Sequence, residues 1–317
     1  MADTSSRDCL LGSLPMPPTF HVRPATPDDK RPSFDVFIPA VRELSARQGA
    51  PWDPDPEEVW RNQTAFLDFL AAHAAEWWVA EDDGSGKVVG YARSLERGGL
   101  FELSEFFVHP DSQSAGIGRA LLDKAFPPGR GEVRAIIATT DVRAQARYYQ
   151  AGTVARFPIA GLTGKPGIAG GQPLNNGLEP APATADDIDA LAALERSVLE
   201  FDRGNEFRWL LENREGYLYR HGGEIVGSAF LGPRGAIGPV AATRPDHLPS
   251  ILDHVERRAA ELEIEEVALE VPMVNEVAMR HLLGRRFKMD TFLTFMMSNR
   301  PFGQFDRFMG FSPPFVL

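Results

Sequence analysis

The chain has 317 residues, of which 43% are apolar and 24% charged, and its net charge is −11 at pH 7. That length exceeds one ordinary core and suits two domains of roughly 150 residues each. The acidic balance argues against nucleic acid as a partner, no apolar run approaches the ~18 residues of a membrane span, and Cys9, the single cysteine, excludes an internal disulfide and a cysteine-based zinc site.

Residues 1–18 lack the basic start and apolar stretch of a signal peptide and read as a flexible tail, so a cytoplasmic protein is expected. The pattern then predicts helices near 33–48 and 56–75, separated by the Pro-rich "GAPWDPDP". Strands follow near 77–81, 87–96 and 100–108, then a helix near 116–126, a strand near 132–138, a helix near 143–151 and a strand near 153–160. "TGKPGIAGGQPLNNG" (163–177) has linker chemistry. Beyond it, a helix is expected near 185–200, strands near 216–220, 224–231 and 235–242, a helix near 247–262, a strand near 265–271, a helix near 275–285 and a strand near 289–297. Three antiparallel strands followed by alternating helices and strands describe an α+β fold with a mixed sheet. In the C-terminal tail, Phe302, Phe305, Phe308 and Phe311 recur at steps of three. They suit a helical or 3₁₀ stripe docked on the body, with an exposed dimer patch as the other reading.

The order of elements runs twice. "RPATPDD" (23–29) and "APATADD" (181–187) match at five of seven positions, and "WWVAEDDGSGKVVGYA" (77–92) and "GYLYRHGGEIVGSA" (216–229) share a strand, a Gly turn and a Val-Gly strand. "DVRAQARYYQAGTVARF" (141–157) and "NEVAMRHLLGRRFKMDTF" (275–292) share a helix running into a strand. Three matches in one order indicate an internal duplication.

The seven histidines fall in no metal-ligand spacing, so no metal is expected. The passage "FFVHPDSQSAGIGRALL" (106–122) carries the chemistry. A strand ends in His109-Pro110, and Gly116 and Gly118 open a helix whose first amides and dipole suit an anion, above all a pyrophosphate. No Gly-Lys-Ser/Thr follows, which removes the usual ligands of a nucleoside triphosphate and magnesium, and the third glycine of a dinucleotide fingerprint is missing.

This segment resembles the acyl-CoA-binding segment of the GNAT acetyltransferases. Val108, Pro110, Gln113, Gly116 and Gly118 fill that family's pattern, and Asp141, Ala144, Tyr148 and Gly152 fill its next helix motif, with Asp replacing Asn. The resemblance covers about residues 19–162 well and 180–299 weakly. It implies two tandem GNAT-type domains, 19–162 catalytic and 180–299 degenerate, each a mostly antiparallel sheet flanked by helices with splayed fourth and fifth strands, with a linker at 163–179 and an aromatic tail at 300–317. It implies acetyl-CoA as co-substrate and direct transfer of its acetyl group to a primary amine, on a small molecule or a peptide. The pantetheine arm would lie along Phe106, Phe107 and Val108, and the pyrophosphate on Gln113, Ser114, Ala115, Gly116, Ile117, Gly118 and Arg119, with Lys124 a further candidate. Asp141 and Tyr148 would complete the cofactor site. Val108 would supply an oxyanion donor and Tyr148 would meet the departing thiolate; the neighbouring Tyr149 points about 100° away on a helix, so only one of the two faces the cleft. Glu102, Glu105 or water would be the base. Strand alternation puts the two glutamates on opposite faces unless a bulge intervenes.

In the second copy Asp246, His247 and Pro249 replace the glycine turn, and Leu282 stands at the tyrosine position. Loss of CoA binding there is expected, leaving support or one wall of the acceptor site as its role. A non-catalytic acyl-CoA sensor is the alternative function. O-acyl transfer, with Trp52, Trp60, Trp77 and Trp78 around an aromatic acceptor, is a more remote one. A monomer or a homodimer fits equally.

Overall fold

A computed structural model describes residues 19–113, 116–167, 177–201 and 203–310. The expected tail at 1–18, the middle of the linker, Ser114, Ala115 and Phe311 lie outside them. The first copy runs β1 (Phe20–Pro24), α1 (Lys30–Arg47), α2 (Pro56–His73), β2 (Ala74–Asp82), β3 (Val88–Arg97), β4 (Leu100–Val108), α3 (Ile117–Ala125), β5 (Val133–Thr139), α4 (Val142–Gln150) and β6 (Val154–Gly164). The second runs β7 (Glu179–Pro182), α5 (Ile188–Leu199), α6 (Asn205–Asn213), β8 (Glu215–His221), β9 (Glu224–Leu231), β10 (Ile237–Ala242), α7 (Leu248–Glu261), β11 (Val267–Pro272), α8 (Glu276–Gly284), β12 (Lys288–Ser298) and the short β13 (Phe308–Met309). No helix among the described residues is long and apolar enough to cross a membrane.

The repeated passages fold alike. Asp29 accepts the backbone N–H of Thr26 at 2.8 Å, and Asp187 that of Thr184 at 2.9 Å, so each "PAT" passage caps its first helix in the same way. The two Val-Gly strands each lie under a helix. A β-carbon on Gly90 would come within 3.0 Å of Ile117 in α3, and one on Gly227 within 2.5 Å of Ile251 in α7. Glycine at both places lets the helix seat closely on the sheet.

The two copies are not separate sheets. One sheet has eight strands in the order β1-β2-β3-β4-β5-β12-β6-β11, and the other has five, β13-β10-β9-β8-β7. The final strands have changed places. β12 of the second copy pairs antiparallel with β5 (Thr294 opposite Thr139), and β6 of the first copy pairs antiparallel with β11 (Gly161 opposite Glu270). β6 and β12 also pair with each other, with an irregularity between Met289 and Leu293.

Alternation along these strands sorts the core by face. Ile136 and Ala138 of β5 and Phe295 and Met297 of β12 pack with Ile117 and Leu121 of α3 and Tyr148 of α4. Ala135, Met296 and Ile159 face the other way, toward α5 and the tail residues Phe302, Phe305 and Phe308. α1 and α2 cover the remainder of that second face. The tail is therefore docked internally, but not as a helical stripe: Phe308 and Met309 form β13 against β10. Buried ions join the copies as well. Arg97 of β3 pairs with Glu102 of β4 and, at 2.5 Å, with Glu206 of α6, while Arg203 pairs with Glu195.

Candidate active site

The site begins where the sheet opens. β4 and β5 run parallel in register from Leu100 opposite Val133 to Leu103 opposite Ile136; β4 then continues to Val108 without a partner strand on that side among the described residues. The His109 N–H bonds to Val89 of β3 at 2.8 Å. By alternation, the amides of Phe106 and Val108 point the other way, into the splay.

The glycine turn closes one end of this gap. Gly116 has φ 89°, a left-handed conformation that favours glycine, and caps α3. A β-carbon there would meet nothing within 4 Å among the described residues. Gly118 has a different reason. A β-carbon would sit 2.7 Å from Arg147 Nη1 and 3.2 Å from the Phe106 ring, so its absence lets the guanidinium and the ring reach the start of α3. Ile117 and Gly118 are the first two helical residues, whose amides an α-helix leaves without internal partners.

α4 supplies the far wall. Tyr148 is buried, and its ring meets Phe106 edge-on at 6.0 Å. Burial pushes its phenol well above the ordinary range, so it stays protonated. Tyr149 is 49% exposed and points away. Arg147 lines the cleft, and its guanidinium has no ion-pair or hydrogen-bond partner among the described residues; its position next to Tyr148 was the only sequence signal for it. Asp141 caps α4 by accepting the Arg143 N–H at 2.9 Å, and it also takes Arg47 of α1 at 3.0 Å. Burial opposes its charge, but hydrogen bonds from Arg143 and Arg47 hold the carboxyl down at about 2. Asp141 thus ties α1 to α4 at the cleft. Arg119 lies away from it, 85% exposed beside Asp123, and Lys124 sits over Trp78.

The two glutamates are resolved by a bulge. The β3–β4 register pairs Arg93 with Glu105 but Ser94 with Leu103, so Ser104 is the extra residue. The bulge reverses the alternation and puts Glu102 and Glu105 on the same face. Glu102 does not reach the cleft: it is fully buried in the ion cluster with Arg97. Glu105 accepts the Tyr91 hydroxyl at 2.9 Å and lies 2.8 Å from Arg93, in a recess of about 10 Å³, the room for one water. Phe37 and Gln63 line both this recess and the main cleft.

The main cleft has a volume of about 690 Å³. Phe106, Phe107, Val108, Gln113, Gly116, Ile117, Gly118, Asp141 and Tyr148 line it, nine of the expected site residues brought together. Of the four tryptophans considered, Trp52 lines it; Trp60 packs on Phe34 and Trp77 lies under the Arg93 guanidinium. Sequence reasoning missed Asp290, Thr291, Phe292 and Thr294, which reach the cleft on the exchanged strand β12.

Residues 73–152 match the family model of the acetyltransferase (GNAT) domain. That match covers about a quarter of the chain, within its first half. Solved structures with the same fold include a putative acetyltransferase from Pyrococcus horikoshii (17% identity, TM-score 0.68, 92% of this chain and 94% of that one). A GCN5-related N-acetyltransferase from Sphaerobacter thermophilus (15%, 0.56, 90% and 97%) and a tandem GNAT protein from the clavulanic acid biosynthesis pathway (17%, 0.55, 89% and 99%) are others. At these identities the likeness is one of fold, and that fold is the tandem GNAT architecture. No curated protein sequence matches the chain.

The second GNAT-like copy has its own splay: β10 and β11 lie in different sheets, and among the described residues one isolated bridge, Ala236 just before β10 to Ala268 of β11, links them. Its opening is filled from within. β13 pairs with β10 (Ala241 opposite Phe308), and the Ala242 N–H donates to Arg307 O at 3.0 Å. Pro249 stands in the first turn of α7, removing an amide, and the buried Leu282 replaces the tyrosine.

Proposed function

We propose that the protein is an acyl-CoA-dependent N-acetyltransferase that binds acetyl-CoA in its first half and passes the acetyl group directly to a primary amine. One observation carries the reading: the open β4 edge, the glycine-capped start of α3 and the buried phenol of Tyr148 converge on one cleft. In this reading the Phe106 and Val108 backbone holds the pantetheine arm as an added strand would. The α3 amides and the Arg147 guanidinium hold the pyrophosphate.

The chemistry then falls to few groups. The acceptor nitrogen must be neutral to attack the thioester carbonyl; Glu105, through one water in its recess, takes the proton. The Val108 N–H meets the oxyanion as the C–N bond forms. As the C–S bond breaks, the Tyr148 hydroxyl donates to the departing thiolate. Glu102, locked against Arg97, has no part in it. The second copy is a silent support that lends β12 to the first.

Calorimetric titration with acetyl-CoA, followed by turnover with simple amines, tests this. The expected result is one site per chain with acetylation of an amine. Binding without any turnover would turn the reading to an acyl-CoA sensor, and no binding would end it.

A further inference from the structure

The cleft has an acidic end that the chemistry above does not use. Asp290 of β12 lines it, and its carboxylate makes no ion pair or hydrogen bond among the described residues. The carboxylate lies directly over Gly161 of β6: a β-carbon on that glycine would be 2.5 Å from Asp290 Oδ2. Glu270 of β11 is paired across from Gly161, so its side chain rises on the same face, beside Asp290. Glu270 also has no partner among the described residues. Burial, then the charge of Asp290, pushes its carboxyl up to about 8. Thr294, further along β12, is 6% exposed, and its hydroxyl is buried without a hydrogen-bond partner while lining the same cleft.

These three groups share a face. Gly161 alternates with Ile159, and Thr294 with Met296, both of which point away from α3 and α4. The acidic group therefore lies across the sheet from the glycine turn, on the side that an acceptor must use if the cofactor occupies the α3 side. Asp290 is four positions along β12 from Thr294, at most ~13 Å at the rise of a strand, and Thr294 is opposite Thr139 at the end of β5. The irregularity in β12 brings Asp290 and Thr294 closer than that, since Thr294 is opposite Ile159 and Asp290 lies over Gly161 two positions away, about 7 Å along β6; Asp290 therefore stands beyond Thr294 from the end of β5, a place that suits a second charge on the same molecule.

We infer that Asp290, with Glu270 behind it and the Thr294 hydroxyl beside it, forms a cation subsite that selects acceptors carrying a second ammonium group besides the amine that is acetylated. The inference rests on the acetyltransferase reading and deepens it. It makes the exchanged strand of the second copy the specificity element of the first. The exposed Asp290 carboxylate and the half-buried Glu270 beside it oppose each other's charge with no cation between them among the described residues, and the second ammonium of a diamine supplies that cation as a monoamine cannot.

The test compares alkyl diamines, from diaminobutane to diaminooctane, with butylamine and octylamine as acceptors, in the full chain and in Asp290→Asn, with Thr294→Val as a second variant. The wild type should favour its best diamine by about tenfold or more in kcat/KM, the scale of one charged hydrogen bond. Asp290→Asn should lose that preference through KM, with acetyl-CoA affinity and butylamine turnover kept; Thr294→Val should weaken it in part. Normal acetyl-CoA binding and monoamine turnover without any diamine preference, or a preference indifferent to Asp290→Asn, would overturn the subsite and leave the acetyltransferase reading intact. If acetyl-CoA failed to bind, titration of the best-fitting diamine alone would still decide the subsite: binding weakened by Asp290→Asn supports it, and equal binding removes it.

Discussion

The Ala242 N–H donates to the Arg307 carbonyl, whereas its counterpart in the first copy, the Val108 N–H, faces an open splay. The equivalence follows from register: Ala242 pairs with Gly227 as Val108 pairs with Gly90, and the next residues, Thr243 and His109, donate to Val226 and Val89. A cofactor arm would need the edge that residues 307–309 already cover. One acetyl-CoA per chain is therefore expected, and Gly116→Glu should abolish binding by placing a carboxylate at the anion site. Calorimetric stoichiometry near two in the wild type, or normal binding by a folded Gly116→Glu variant, would contradict this.

Tyr148→Phe removes the hydroxyl and keeps the ring contact with Phe106. The expected result is a fall in kcat of about 10²-fold with acetyl-CoA affinity unchanged. Steady-state kinetics beside titration separates the two quantities, and an unchanged kcat would transfer the role to water.

Arg147→Met should weaken acetyl-CoA binding about tenfold, the scale of a charged hydrogen bond, and flatten its dependence on salt. Tyr148 should remain functional at saturating cofactor, so kcat should hold. Titration at low and high ionic strength reads both effects.

Arg97→Met leaves Glu102 and Glu206 buried and short of a cation. Breaking such a cluster from one side costs about 3–5 kcal/mol. Denaturant unfolding should record that loss. A smaller cost in Arg97→Met combined with Glu102→Gln and Glu206→Gln would identify the leftover charges as its source.

Glu270 sets a pH dependence. Its folded carboxyl is pushed up to about 8 from an ordinary 4.5, so between these values the native state holds a proton that the unfolded chain has released. Its contribution to stability is therefore full below about 4.5 and is lost as pH rises toward 8. Unfolding at several pH values across that window should show a steeper decline in the wild type than in Glu270→Gln; parallel slopes would mean that the carboxyl titrates normally.

Much of this was legible. The hydrophobic periods placed the helices and most strands close to their observed limits, because each has a buried face that repeats at 3.6 or 2 residues. The glycine turn was legible because Gly116 and Gly118 are required by backbone and packing, not by taste. What escaped was non-local. Nothing in "KMDTFLTFMMS" says that its neighbour is β5 of the other copy, since strand pairing partners leave no local mark. The Ser104 bulge carries neither glycine nor proline, so the shared face of Glu102 and Glu105 was hidden. The nine-residue α6 has Phe207, Leu210 and Leu211 at helical spacing but is short, and β13 is too brief to have a period.

The strand exchange also bears on how the chain is made. When residue 164 has left the ribosome, β5 and β6 still lack the strand that will lie between them, and more than a hundred residues must be synthesised before Lys288–Ser298 arrives. Until then the nascent first copy presents two bare strand edges, the kind of surface that recruits foreign strands. Closing so distant a contact is slow. The cleft therefore gains its Asp290 wall only once β12 has emerged, and a fragment ending in the linker should be an aggregating half-sheet, not a smaller working copy.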